Sequence, residues 1–301
     1  MKSTAEAVLA WIAAKGTALI SLLSGLLAAG LILYSGYALY DNYYIEQQAF
    51  SSWDLLQYKP ELLDDMDTPL AAFERLQEIN PDVRSWLTIY DTNIDYPVTQ
   101  GENDLEYVNK NVYGDFALSG SIYLATANSG DFTDPYNLIY GHHMDNGAMF
   151  GNLEHFIEDA YFAGHREGLL IAPTAAYDLT VFASVETDAY DDSVYAVERI
   201  NGDYDGLKAW IAENAMQYDA SVPDPGRIVA LSTCAGATTN GRTVVFAYMY
   251  EKDLSALVTP TPTPTATPGP ADNTPVPTDT AAPTDTPEPT DTPVPTDTAA
   301  P

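Results

Sequence analysis

Ile228-Val229-Ala230-Leu231-Ser232-Thr233-Cys234 and Arg242-Thr243-Val244-Val245-Phe246-Ala247-Tyr248-Met249-Tyr250 are the two runs on which the fold is read. Both are dense in β-branched and aromatic side chains, which suit a pleated, half-buried surface. The link between them, Ala235 to Gly241, ends in Asn240-Gly241, a strong turn dipeptide. If the runs pair as a hairpin, the Cys234 thiol and the Arg242 guanidinium emerge at the same end of a sheet. A cation beside a thiol favours the thiolate, and a guanidinium also donates to an oxyanion. An Arg that only answers surplus surface acids is the alternative, and the hairpin alone leaves both open.

Outward from this pair, the middle of the chain carries further short runs of the same kind. Trp86–Ile89, Ser121–Ala125, Leu138–Tyr140, Leu169–Ile171 and Tyr177–Val185 are separated by Gly, Asn, Asp and Pro. In the last of these Leu179, Val181, Ala183 and Val185 alternate onto one face. Helix signals come first: Ile45, Ala49, Trp53 and Leu56 recur at helical spacing. Thr68-Pro69 then reads as a cap and first turn for a helix carrying Leu70, Phe73, Leu76 and Ile79, which Asn80-Pro81 ends. One late helix, about Tyr204 to Gln217, carries Leu207, Trp210, Ile211 and Ala215. Many short strands with few helices predict a mainly β core, a barrel or a sandwich with helical additions.

The two ends differ from this middle. From Gly16 to Tyr40 no residue is charged, and the stretch exceeds the roughly 20 residues a helix needs to cross a bilayer core. Lys2 and Lys15 precede it and Asp41 and Glu46 follow, so the N-terminus is expected in the cytoplasm and the rest outside. A cleaved signal peptide is the competing reading, but the run is long for a signal core and lacks a polar mature start. At the other end, Thr259 to Pro301 is mostly Pro and Thr without Lys or Arg, and Pro-Thr-Asp-Thr recurs from Pro277, Pro283, Pro289 and Pro295. Such a segment has too few apolar side chains for a core and is expected to be an extended, solvated spacer. The divisions expected are residues 1–15 cytoplasmic, 16–40 transmembrane, 41–79 helical, 80–258 catalytic and 259–301 tail.

The formal charge of −31 leaves no basic surface, so nucleic acid is excluded as a partner. Cys234 is the single cysteine, which rules out an internal disulfide and leaves either a reactive thiol or an inert buried one. A thiol nucleophile needs a group that accepts and returns protons, and an imidazole suits that role. Of His142, His143, His155 and His165, His142 follows the strand Leu138–Tyr140 and Gly141 and so stands at a strand end. His142, His143 and Asp145 carry no metal spacing beyond themselves, and no metal is expected. The acid pairs Asp64-Asp65 and Asp191-Asp192 read as solvated loop charge.

Together these segments resemble the sortase family, its class B branch in particular. The resemblance is carried by Asn80-Pro81-Asp82-Val83-Arg84-Ser85-Trp86-Leu87-Thr88-Ile89, by Ile94-Asp95-Tyr96-Pro97-Val98, by Asn137-Leu138-Ile139-Tyr140-Gly141-His142-His143-Met144 with Met149-Phe150-Gly151, and by Leu231-Ser232-Thr233-Cys234 followed by Arg242. Ala230 stands where the family often has Thr. The resemblance implies a closed β-barrel with N-terminal helices and one helix inserted before the Cys strand. It implies a membrane-anchored cysteine transpeptidase on the outer cell surface, working without cofactor. Cys234 would be the nucleophile, His142 the proton-transfer group and Arg242 the oxyanion partner, with Ser232 and Thr233 binding substrate. The substrates implied are secreted proteins with a C-terminal sorting signal, cut after Thr and joined to an amine of a peptidoglycan precursor or a pilin. A surface thiol hydrolase without transfer and a non-enzymatic stalk protein are the rival readings.

Overall fold

The computed structural model describes residues 3–49, 53–60, 69–234 and 240–254. The Pro/Thr tail, Thr68, Asp64-Asp65 and residues 235–239 lie outside them. Among the described residues, nine strands form one sheet: β1 (Val83–Ile89), β2 (Asp95–Thr99), β3 (Ile122–Leu124), β4 (Tyr136–Tyr140), β5 (Glu167–Ile171), β6 (Ala176–Asp188), β7 (Gln217–Tyr218), β8 (Ile228–Cys234) and β9 (Gly241–Lys252). Their order is β5-β1-β2-β3-β4-β8-β9-β6, and a β5–β6 pairing closes the ring, with β7 added to β6. Of the two architectures open on the strand pattern, the barrel is the one formed. Closure leaves no free edge in the ring, which would otherwise invite pairing with another chain.

Strand alternation sorts the apolar side chains into layers. Val229, Leu231, Val245, Ala247, Met249, Leu87 and Ile139 fill the barrel interior. The intervening residues of β4, β8 and β9, among them Leu138, Ala230, Val244 and Phe246, pack outward against a helical cover. Ala230 is fully buried in that outer layer. Leu207 and Ile211 are also buried there, and each such burial contributes roughly 1.5–3 kcal/mol. A third layer joins Trp86, Val83, Leu169 and Ile171 to Phe73 and Leu76. Strand β6 reaches all three layers, and a register shift between Val181 and Ala183 turns its phase, so Leu179 and Val181 face the interior while Ala183 and Val185, expected on the same face, lie in the outer layer.

Seven α-helices accompany the sheet among the described residues: α1 (Thr4–Ala49), α2 (Trp53–Leu56), α3 (Pro69–Ile79), α4 (Asp159–Gly164), α5 (Asp192–Tyr195), α6 (Val197–Asn201) and α7 (Tyr204–Asn214). Helix α1 has 46 residues, longer than the charge-free stretch because helix-forming residues continue on both sides of it. Its part from Glu6 to Tyr43 is long and apolar enough to cross a membrane. Helix α3 buries Ala72, Phe73 and Leu76 but leaves Leu70 exposed, so the apolar face is narrower than the sequence pattern. Asn80, buried after it, donates to the Tyr107 hydroxyl and the Val112 carbonyl.

Where one helix was expected before the Cys strand, three lie between β6 and β8. Helices α5 and α6 are four and five residues long, too short for a periodic signal. Helix α7 stops at Asn214 rather than near Gln217. The Met216 amide donates instead to the Ser184 carbonyl, and pairing with β6 overrides helix propensity.

Candidate active site

Three neighbouring strands set the site. Strand β4 runs parallel to β8 with Tyr140 beside Ser232, and the Gly141 amide extends the ladder to the Ser232 carbonyl at 3.1 Å. Strand β9 runs antiparallel to β8 and begins where β8 ends, with Cys234 and Arg242 as direct cross-strand partners. The ends that carry His142, Cys234 and Arg242 therefore share one rim, as the hairpin reading of the sequence requires.

A cleft of about 330 Å³ opens at this rim, lined by Tyr140, Gly141, His142, Ser232, Thr233 and Arg242 among others. Ile228, Ala230 and Ser232 share the outward phase of β8, the side on which the cleft lies. Ser232 meets the cleft through its hydroxyl, which shares a 2.9 Å hydrogen bond with the Tyr195 hydroxyl. Thr233 belongs to the opposite phase with Val229 and Leu231. It is buried, and its hydroxyl has no hydrogen-bond partner among the described residues.

Gly141 is required where it stands. A Cβ there would fall 2.5 Å from Ile122 Cδ1 and 2.7 Å from the Phe150 ring, so only a glycine lets β4 end against those side chains and turn into His142. The imidazole is half-buried, and its Nε2 lies 2.7 Å from the Val108 carbonyl. A carbonyl only accepts, so Nε2 carries the hydrogen of the neutral ring and Nδ1 keeps its lone pair. His143 sits differently: its Nε2 approaches Asp145 at 3.2 Å and Glu154 at 3.8 Å.

The walls are aromatic. Tyr140 stacks on Tyr195 at 6.2 Å between ring centroids and tilts against Tyr123 at 5.2 Å. Burial pushes the Tyr140 phenol well above its ordinary range, reinforced by Asp104 and opposed by Arg242, which favours its neutral form. Among the lining residues Asp104 is the one acid and Arg242 the one full-time cation. Asp104 accepts from the Thr126 amide at 2.7 Å and from the Thr126 hydroxyl. Arg242 donates through Nη1 to the Gly241 carbonyl at 2.9 Å.

Sequence reasoning missed Asp104, Val108 and Tyr195. Tyr195 was legible in part, because Asp191 precedes it at cap spacing. The reading of Asp191-Asp192 as loop charge needs correction at its first member. Asp192 is exposed, but Asp191 caps α5, accepting from the Ser193 amide at 2.8 Å and the Thr187 hydroxyl at 2.7 Å. Burial opposes ionisation of that carboxyl, yet the Thr187 and Ser193 donors hold it below its usual value.

The closed barrel thus sets a strand ending in cysteine between a strand that leads into His142 and a strand that carries Arg242. The family profile described as Sortase domain matches residues 87–250, and the chain belongs to the sortase family. Its relatives there are cysteine transpeptidases. Within that family it is a class B sortase. It is 27% identical over 222 residues to sortase B of Staphylococcus aureus, across 72% of this chain and 91% of that protein. A Streptococcus pyogenes class B sortase involved in pilus biogenesis is similar at 39% identity and a TM-score of 0.55, over 59% of this chain and 97% of its own. The S. aureus sortase B–substrate complex aligns at 26% identity and a TM-score of 0.56, over 60% of this chain and 86% of that chain.

Proposed function

We propose that this chain is a membrane-anchored transpeptidase that cuts a C-terminal sorting signal after Thr and joins the new carboxyl end to an amine. The observation that supports it most is the shared rim: the pairing of β4, β8 and β9 puts the strand ends that carry Gly141-His142, Cys234 and Arg242 side by side, next to a cleft lined by His142 and Arg242. In the first step the Cys234 thiolate attacks the Thr carbonyl carbon and a C–S bond forms. The C–N bond then breaks, and the departing amine takes a proton from the His142 imidazolium. In the second step an amine attacks the thioester carbonyl, gives its proton to His142 and expels the thiolate. Arg242 donates to the oxyanion in both steps, in a site whose aromatic walls limit competing water.

The acceptor we favour is an amine of a peptidoglycan precursor or of a pilin. The similar S. pyogenes enzyme is involved in pilus biogenesis, and sortase B forms complexes with substrate and with triglycine. The segment from Glu6 to Tyr43 is suited to hold the enzyme in the cell membrane with the barrel outside. Cleavage of a sorting-signal peptide library by the full chain tests the reading. Cys234→Ala is expected to abolish cleavage with unchanged circular dichroism, and added amine should divert product from hydrolysis to transfer. Cleavage retained by the alanine variant would refute the nucleophile.

A further inference from the structure

We infer that Gly120 is a positioning residue for His142, because its bare Cα leaves room for the Val108 carbonyl to hold the imidazole. The inference rests on the reading of His142 as the proton-transfer group. Val108 lies in the one-turn helix Glu106–Asn109, and its carbonyl is the acceptor 2.7 Å from His142 Nε2. Gly120 is buried directly behind that turn with φ of +60°. A Cβ at Gly120 would fall 2.4 Å from the Val108 oxygen and 2.7 Å from the Tyr107 oxygen. Both are backbone atoms, so neither yields as a side-chain tip would.

The turn is pinned from the other directions. The Tyr107 hydroxyl donates to Asp82 at 2.7 Å and accepts from buried Asn80 at 2.8 Å. The Tyr107 carbonyl accepts the Ser121 amide at 3.0 Å, and the Ser121 hydroxyl donates to the Lys110 carbonyl at 2.7 Å. Any side chain at Gly120 therefore moves the Val108 carbonyl itself, within a frame that leaves it little else to move. A backbone carbonyl here does what a carboxylate does in many triads: it fixes which nitrogen carries the hydrogen and how the ring faces the reaction. Nδ1 is then the atom that gives the proton to the leaving amine and recovers it from the incoming one.

The test is steady-state cleavage and transfer by the full chain in detergent, with the imidazole nitrogen spectrum of His142 followed across pH. Gly120→Ala should lower kcat by roughly 10- to 100-fold, part of the 10²- to 10⁴-fold a positioned acid–base supplies, with KM nearly unchanged. The His142 spectrum should pass from one Nε2–H form to an averaged mixture, and the pH profile should shift with it. Gly114→Ala is the control: that glycine also has positive φ, +85°, in the same loop, but its nearest neighbour is Lys110 Cε at 3.7 Å, and its kcat should match wild type. Ser121→Ala adds no atom and loosens the same turn, and should show the same changes at a few-fold; it decides the matter if Gly120→Ala does not fold. Wild-type kcat and spectrum in the folded Gly120 or Ser121 variants, or an equal kcat loss in Gly114→Ala, would overturn the inference. Full activity in His142→Gln would instead overturn the reading beneath it.

Discussion

At the scale of single residues, the chemistry depends on geometry more than on charge. Arg242 is the second residue of β9 and pairs with Cys234, and in the proposed mechanism its forked donor serves the oxyanion. Arg242→Lys keeps the charge and loses the fork; the expected result is a fall in kcat of about 10²- to 10³-fold, measured by peptide cleavage at saturating substrate. Tyr96 shows how a buried phenol supports the same region. Its hydroxyl accepts the Met149 amide at 2.9 Å, in the turn that follows His142. Burial pushes its pKa to about 12, against the Met149 hydrogen bond and with help from Asp95. The neutral form is thus favoured in the folded state, and the unfolded chain releases that proton first. Stability from this group is complete below pH 10 and is lost as the pH rises towards 12, on the order of 2–3 kcal/mol in all. Tyr96→Phe should be less stable near neutrality by about 1–3 kcal/mol, because the Met149 amide loses its partner. It should also show a flatter decline between pH 10 and 12 in denaturant titrations.

At the scale of elements, the strands that carry the site were legible because their side chains declare themselves. Two apolar runs and an Asn-Gly turn put Cys234 and Arg242 at the same end of a sheet if the runs form a hairpin, and the register goes further and pairs those residues directly. His142 is read at the end of a strand closed by glycine, with its catalytic place implied by the family resemblance, and Gly141 has no space for a Cβ. The parts that were not legible act through the backbone or through very short helices. Val108 contributes a carbonyl, which no side-chain pattern encodes, and α5 spans one turn. That turn matters because Asp191 caps it and Tyr195 ends it, with the phenol on Ser232. Asp191→Ala removes the cap and the Thr187 hydrogen bond, so a loss of about 1 kcal/mol is expected from thermal unfolding. KM for the peptide should rise more than kcat falls, since Tyr195 forms a wall of the cleft; an unchanged KM would show that α5 does not shape binding.

At the scale of the whole molecule, a closed barrel turns three separate stretches of sequence into one rim. His142 and Cys234 are far apart in the chain, and they approach only because β4 and β8 are parallel neighbours. The parallel pairing, the ring closure through β5 and β6, and the three-helix cover before β8 are long-range outcomes that periodicity alone does not determine. The apolar part of α1, by contrast, is read directly from composition and length. The most direct test is to incubate the full chain with a sorting-signal peptide library, without amine, and to map the covalent adduct by mass spectrometry. The account predicts an acyl group on Cys234 ending in Thr, which disappears when an amine is added and never forms in His142→Gln at a comparable rate. An adduct on another residue, or cleavage with no adduct in a protein whose Cys234 is replaced by alanine, would contradict it.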